Sequence, residues 1–230
     1  MIGPKIALHY LTRPKRQIYK EEKMPIYYLL KSSDVPIMRH PIRYQNVRGE
    51  RLAGSLYLAP DPTESEACII YLHGNASSQL EGRFLVPLLI PLGISVFLFD
   101  FAGCGLSEGD IVTMGKNESD DVVDIIDFLE TNYSIHKIFL WGRSMGAATA
   151  IFTIAKRQDI AGIVVDSPYA KIINAVLSIA KEHHASIFLT KDFEDRLKVH
   201  SINKLGFDIT KMNPLSVMNE CYTPAFFIHA

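Results

Sequence analysis

Residues 139–147 read FLWGRSMGA: an apolar run ends in Gly-Arg-Ser-Met-Gly and passes at once into small residues that suit a helix. A strand that feeds a sharp turn and then a helix can lift one side chain clear of the top of a sheet. Its neighbours must be small, because such a turn is strained and other backbone passes close by. Gly142 and Gly146 meet that need around Ser144, so the stretch predicts a nucleophile elbow. The helix that begins after Ser144 aims its first N–H groups at the serine oxygen, which favours negative charge developing there. The chemistry expected of such a serine is acyl transfer.

Acyl transfer needs two backbone donors on the oxyanion of the tetrahedral intermediate. One is expected from Met145, the residue after the nucleophile. The other is expected from YLHGNASS (71–78), at Asn75 or its neighbour Gly74. His73 stands at a strand end ahead of the serine, a place that suits a histidine ordering its loop better than a general base. The glycines of DFAGCGLSEG (100–109) allow a tight turn after another strand. Read as a phosphate cradle of the G-x-G type, they would need a helix opening directly on them. Instead Glu108, Gly109 and Asp110 intervene, and the next helix is expected near residue 118.

The elements that must hold these pieces alternate from about residue 37 onward. Short β-rich runs lie at 41–47, 52–59, 67–72, 95–100, 137–141, 161–166 and 224–229, the first two joined by a hairpin turn at Arg48-Gly49-Glu50-Arg51. The runs from 67 to 166 are nearly continuous apolar stretches, as strands buried on both faces require. Between them, residues 119–130 open on Ser119-Asp120-Asp121 and then set Val122, Ile126 and Leu129 on one helical face. Residues 145–156 open with Gly146, Ala147, Ala148 and Ala150, small enough for a helix to lie close on a sheet. This alternation predicts an α/β fold, a mostly parallel sheet with helices on both faces and right-handed crossovers. Residues 167–213 break the rhythm with one amphipathic helix (Ile172, Ile173, Val176, Leu177, Ala180) and a mixed polar stretch, KEHHASIFLTKDFEDRLKVHSINK. A connection of that length suits a lid, or plain cover for a sheet edge. The expected division is a lead-in over 1–36 and a domain over 37–230 with a lid-like insertion at about 167–213.

With 230 residues, 48% of them hydrophobic, the chain can bury one sizeable core. A formal charge of −1 leaves no global basic field for nucleic acid. The first 23 residues do hold a local excess, Lys5, Arg13, Lys15, Arg16, Lys20 and Lys23 against Glu21 and Glu22. That excess is expected to mark a solvated leading segment, or a weak attraction to an anionic membrane surface. Cys68, Cys104 and Cys221 lie far apart without metal spacing, which fits a reducing compartment. No signal-peptide pattern opens the chain, and no apolar run reaches the roughly 18 residues of a membrane span. The expected setting is cytoplasmic, or peripheral to a membrane. No cofactor box and no metal constellation is visible, so the expected partner is a small molecule or an acyl or peptidyl substrate.

In chain order, HGN at 73–75, DFAGCGLSEG at 100–109 and GRSMG at 142–146 resemble the α/β-hydrolase superfamily. The likeness is to the branch of α/β-hydrolase-domain serine hydrolases that includes depalmitoylase-like enzymes, serine aminopeptidases and prolyl-oligopeptidase-like peptidases. LTRPKRQIY (11–19) is similar to the R-P-x-R-x-x-Y lead-in of that branch, and VVDSPYA (164–170) to its segment after the sixth strand. Ala102 departs from it, standing where an arginine is usual. The resemblance implies cleavage of an ester, thioester or peptide bond through an acyl-enzyme on Ser144. It also implies an acid in a pattern like F-I-H-G-x-x-D and a histidine one strand later. PAFFIHA aligns His229 with the strand-end histidine of that pattern, so the triad acid and base are expected beyond Ala230 and not in this chain. The 230 residues alone are then expected to be a poor enzyme. Asp166 is expected to support the site rather than serve as its acid. His183, His184 and His200 are expected to be solvated residues of the insertion, and His9, His40 and His136 to have no role. The alternatives are a non-catalytic pseudo-hydrolase or binding module of the same fold, or, on the glycine loop alone, a nucleotide-binding α/β protein.

Overall fold

The apolar runs between residues 67 and 166 form the centre of an eight-stranded sheet. The structure is a computed structural model and describes residues 2–30, 33–60, 67–133, 135–182, 184 and 189–229. The strands are β1 (Tyr27–Leu30), β2 (Ser33–Gln45), β3 (Arg51–Tyr57), β4 (Ala67–Leu72), β5 (Ser95–Phe99), β6 (Lys137–Arg143), β7 (Gly162–Asp166) and β8 (Ala225–Ile228). The helices are α1 (Pro4–Thr12), α2 (Val86–Leu89), α3 (Lys116–Asn132), α4 (Met145–Lys156), α5 (Ile172–Glu182) and α6 (Lys191–Leu205). The sheet order is β1-β2-β3-β5-β4-β6-β7-β8. Strands β5, β4, β6, β7 and β8 run parallel, while β1, β2 and β3 continue the sheet in antiparallel fashion.

Every residue of β4 is buried, because both faces of the sheet are covered. On one face Leu72, Phe99, Leu140 and Val165 join a large core with Leu8 of α1, Ile126 of α3, Ile151 of α4 and Val176 of α5. On the other face Tyr57, Ile69, Tyr71, Val96 and Leu98 pack against Leu85, Val86 and Ile90. That second cover is a string of short turns over 79–92. Pro87 and Pro91 cannot donate to a continuing helix. Gly82 lies so close to the Tyr71 ring and Leu98 that no side chain fits.

Three expectations change. Residues 27–30 and 33–40 are already paired as β1 and the first half of β2. Helix α3 starts at Lys116 rather than 119. The Glu118 carboxylate explains the shift: it accepts the N–H groups of Thr113 and Gly115, each at 2.8 Å, and so closes the helix start about one turn earlier than the serine suggested. Third, the basic lead-in is solvated on one side only: Lys5, Arg13, Lys15 and Lys20 are exposed, but an apolar face is not. Ala7, Leu8 and Leu11 share one face of α1 and are buried where that helix packs on α5 and α6. Beyond it, the Tyr19 hydroxyl donates to Asp100 at 2.7 Å.

Candidate active site

The carboxyl ends of β4, β6, β7 and β8 meet around a cavity of about 1180 Å3, lined among others by Gly74, Asn75, Ser144, Asp166 and His229. The connection from β4 leads to β5 on one side, and β6 lies on the other. Open parallel sheets bind ligands in the crevice above such a reversal.

Ser144 is exposed in this cavity, between β6 and α4, with φ 52° and ψ −111°. A residue other than glycine held there costs on the order of 1–3 kcal/mol, which the surrounding structure must offset. Its N–H donates to the Asp166 carbonyl at 2.8 Å, and its own carbonyl accepts from Ala148 at 3.1 Å. The backbone is thus clamped between β7 and the first turn of α4. A Cβ on Gly142 would collide with the Gly146 carbonyl, and one on Gly146 with the Leu72 carbonyl. Both glycines are therefore required by backbone lying on backbone. Met145, fully buried, is the first residue of α4. N–H groups in a first helical turn lack an intrahelical acceptor.

The loop after β4 is held against this turn. A Cβ on Gly74 would lie 3.7 Å from the Arg143 carbonyl oxygen. His73 is fully buried; its Nδ1 donates to the Gly74 carbonyl at 2.7 Å and its Nε2 accepts the Phe101 N–H at 3.0 Å. That pattern needs a neutral ring, and burial holds the His73 pKa below 6.5. With both nitrogens engaged, His73 joins the loop after β4 to the loop after β5. Glu81 accepts the Tyr71 hydroxyl at 2.8 Å and the Gly74 N–H at 3.4 Å, and pairs with Arg143 at 3.3 Å. Burial pushes its carboxyl up, but hydrogen bonds from Ser77 and Tyr71 and the charge of Arg143 outweigh that and hold it below the usual carboxylate range. The Asn75 amide donates to the Leu11 carbonyl at 3.3 Å, which fastens the end of α1 to the same loop.

The glycine loop after β5 serves a carboxylate of the chain itself. Asp100 accepts the N–H groups of Gln79 at 2.6 Å and Leu106 at 2.8 Å. Gly105 lies against that carboxylate with no room for a Cβ, at φ +47°. Arg16 fills the other side, donating to the carbonyls of Ser107 and Gly109, each at 2.6 Å. The loop thus gives its Leu106 N–H to Asp100 and its carbonyls to Arg16, both groups of this chain, and Ala102 is buried in it. Tyr169, from VVDSPYA, donates its hydroxyl to the Met114 carbonyl and closes the next loop. Asp166 accepts the Ser167 hydroxyl at 2.8 Å.

The sheet, the sharp turn at Ser144 and the loops after β4 and β5 agree with comparison to known proteins. The family model described as "Serine aminopeptidase, S33" matches residues 63–212. The chain belongs to that family of α/β hydrolases. The Escherichia coli protein YfhR is 26% identical over 73% of this chain and 56% of its own length. Human monoglyceride lipase is 34% identical over 46% of this chain and 37% of its own. An esterase of Pyrococcus furiosus shares the fold with a TM-score of 0.65 at 22% identity, over 94% of this chain and 74% of the esterase. The chain spans about half the length of the curated relatives it matches.

The cavity also gathers residues the sequence had not marked. His9 and His229 both line it, as do Arg13 and Lys15 from the lead-in and Asn174, Ala175 and Ser178 from α5. His40, His136, His184 and His200 do not, and His183 lies outside the described residues. Among the described residues no group of three metal-ligating side chains comes together, and no helix is long and apolar enough to cross a membrane. Arg16 and Tyr19 had a signal in the lead-in motif. Glu81 had none, since its partners lie on two separate segments, 71–77 and Arg143.

Proposed function

We propose that the chain is the nucleophile-bearing part of a serine hydrolase that cleaves an ester, thioester or peptide bond through an acyl-enzyme on Ser144. The observation that carries this reading is the strained, exposed serine at the carboxyl edge of β6, flanked by two glycines that tolerate no side chain. In the proposed reaction Ser144 Oγ attacks the acyl carbon and its proton passes to a histidine base. The developing oxyanion is met by the N–H of Met145 and by that of Asn75 or Gly74. Proton return expels the leaving group, and water then releases the acyl product. We place the triad acid and histidine after β8, whose end opens onto the cavity at His229. The 167–213 segment contributes α5 as one wall and fits the part of a lid. The esterase and lipase relatives favour esters among the three bond types.

A fluorophosphonate probe on the longest natural form tests this. Labelling that disappears in Ser144→Ala is the expected result. A folded, full-length chain that does not label would establish the pseudo-hydrolase instead. The 230-residue chain is expected to turn over about a million-fold more slowly than the longer form, the penalty for a missing triad base.

A further inference from the structure

The rim of the cavity carries positive charge that acyl chemistry at Ser144 does not use. Of the cations in the lead-in, Arg16 is committed to loop carbonyls. Arg13 and Lys15, on either side of Pro14, line the same cavity as Ser144. Lys5 of α1 and Lys204 of α6 stand close enough for their charges to act with Arg13: Lys204 is held below its ordinary pKa by burial and then by Arg13 and Lys5. Among the described residues no carboxylate pairs with Lys5, Arg13, Lys15 or Lys204. Two other charged groups face the cavity away from this rim. Arg143 is paired with Glu81, while Asp166, on the β7 wall, accepts the Ser167 hydroxyl and keeps its negative charge there. The rim's position is fixed, because the Asn75–Leu11 bond ties the end of α1 to the loop beside Ser144. Like charges held together repel, and a rim of one sign raises the local concentration of ligands of the other.

We propose that Arg13 and Lys15 form an anion subsite at the rim of the Ser144 cavity, for a phosphate or carboxylate group carried by the substrate beside its cleavable acyl bond. An arginine fork next to a lysine point charge suits such a group. The word substrate here rests on Ser144 being the nucleophile; anion binding itself does not.

The test separates the two. On the full-length natural chain carrying Ser144→Ala, calorimetry with glycerol 3-phosphate, glycerate and glycerol reads binding without turnover, and the two anions decide between phosphate and carboxylate. At least one anion is expected to bind, glycerol not, and Arg13→Ala or Lys15→Ala is expected to weaken the anion about tenfold, the size of one charge-assisted hydrogen bond. With Ser144 intact, the ratio of kcat/KM for a butyryl ester of the preferred anion over that of glycerol is expected to fall about tenfold in the same variants. Equal binding of anions and glycerol, or anion binding untouched by both substitutions, overturns the proposal. So does a result in which the substitutions abolish co-sedimentation with anionic phospholipid vesicles yet leave soluble-anion binding intact. Anion binding lost on substitution in a protein whose Ser144 does not label would leave the subsite standing and remove the nucleophile.

Discussion

The two flanks of the cavity are built differently. On the β4–β5–β6 flank, buried polar groups are matched one to another: His73 joins Gly74 to Phe101, Glu81 joins Tyr71, Gly74 and Arg143, and Asp100 joins Tyr19, Gln79 and Leu106. On the β7–β8 flank the last strand is paired on one side only and exposed on both faces, with Phe226 at 65% and Phe227 at 48% of their full exposure. The difference teaches where preorganisation lies. A nucleophile and its oxyanion donors must be placed before substrate arrives, and a network of satisfied buried hydrogen bonds is the means of fixing them.

The largest expected effect falls at the point where the first flank has no slack. In Gly146→Ala the new methyl meets the Leu72 carbonyl, so α4 must move off β4 or the elbow must open. A stability loss of about 3 kcal/mol or more is expected by denaturant unfolding, with no probe labelling in any folded fraction. A variant that unfolds like the parent would show that the close approach of α4 is not needed.

Glu81→Gln keeps a hydrogen-bond acceptor but removes the charge that faces Arg143. A loss of about 1–2 kcal/mol is expected, together with a labelling rate at Ser144 about tenfold lower in the full-length form, because the Gly74 N–H loses part of its anchor. Arg143→Ala, which keeps the carboxylate, is expected to slow labelling less. Equal rates in Glu81→Gln and the parent would mean that the loop is held without Glu81.

His73 gives a smaller effect with a defined sign. Its folded pKa lies below the ordinary 6.5, so between the two values the unfolded chain binds more protons than the folded one. Stability from this group is present above pH 6.5 and is lost as pH falls through the folded value. The melting temperature is expected to drop below pH 6.5, and His73→Gln is expected to start lower and to flatten that slope. A slope unchanged by the substitution would assign the acid sensitivity elsewhere.

What could be read from the sequence follows the same division. Ser144, its glycines and the strands at 67–72, 95–99, 137–143 and 162–166 are legible because each rests on local patterning: an apolar run, a turn, a small-residue helix start. The capping of α3 by Glu118 was also local, but Ser119-Asp120-Asp121 offered an equally good start, and only Gly115 at φ +106° decides between them. The burial of the lead-in was not legible. Ala7, Leu8 and Leu11 are a short stripe among charges, and their partners lie on α5 and α6, far along the chain. Placement of His9, Arg13 and His229 on one cavity likewise depends on tertiary contacts that no spacing encodes.

The smallest effect is expected on the open flank, and it is the sharpest check on the comparison. Phe226 sits on β8, pairs with Val164 and is mostly exposed. In the 230-residue chain Phe226→Ser removes little buried apolar area, so a change within about 0.5 kcal/mol is expected. If the triad acid and histidine follow β8 as proposed, the residues that carry them must cross this edge and cover it. The same substitution in the longer form would then remove a buried aromatic and cost about 3 kcal/mol. Measuring Phe226→Ser in both lengths turns a surface substitution into a readout of whether the open flank is closed by what comes after it. Equal, near-zero costs in the two forms would leave β8 an exposed edge and take away the support for placing the base beyond it.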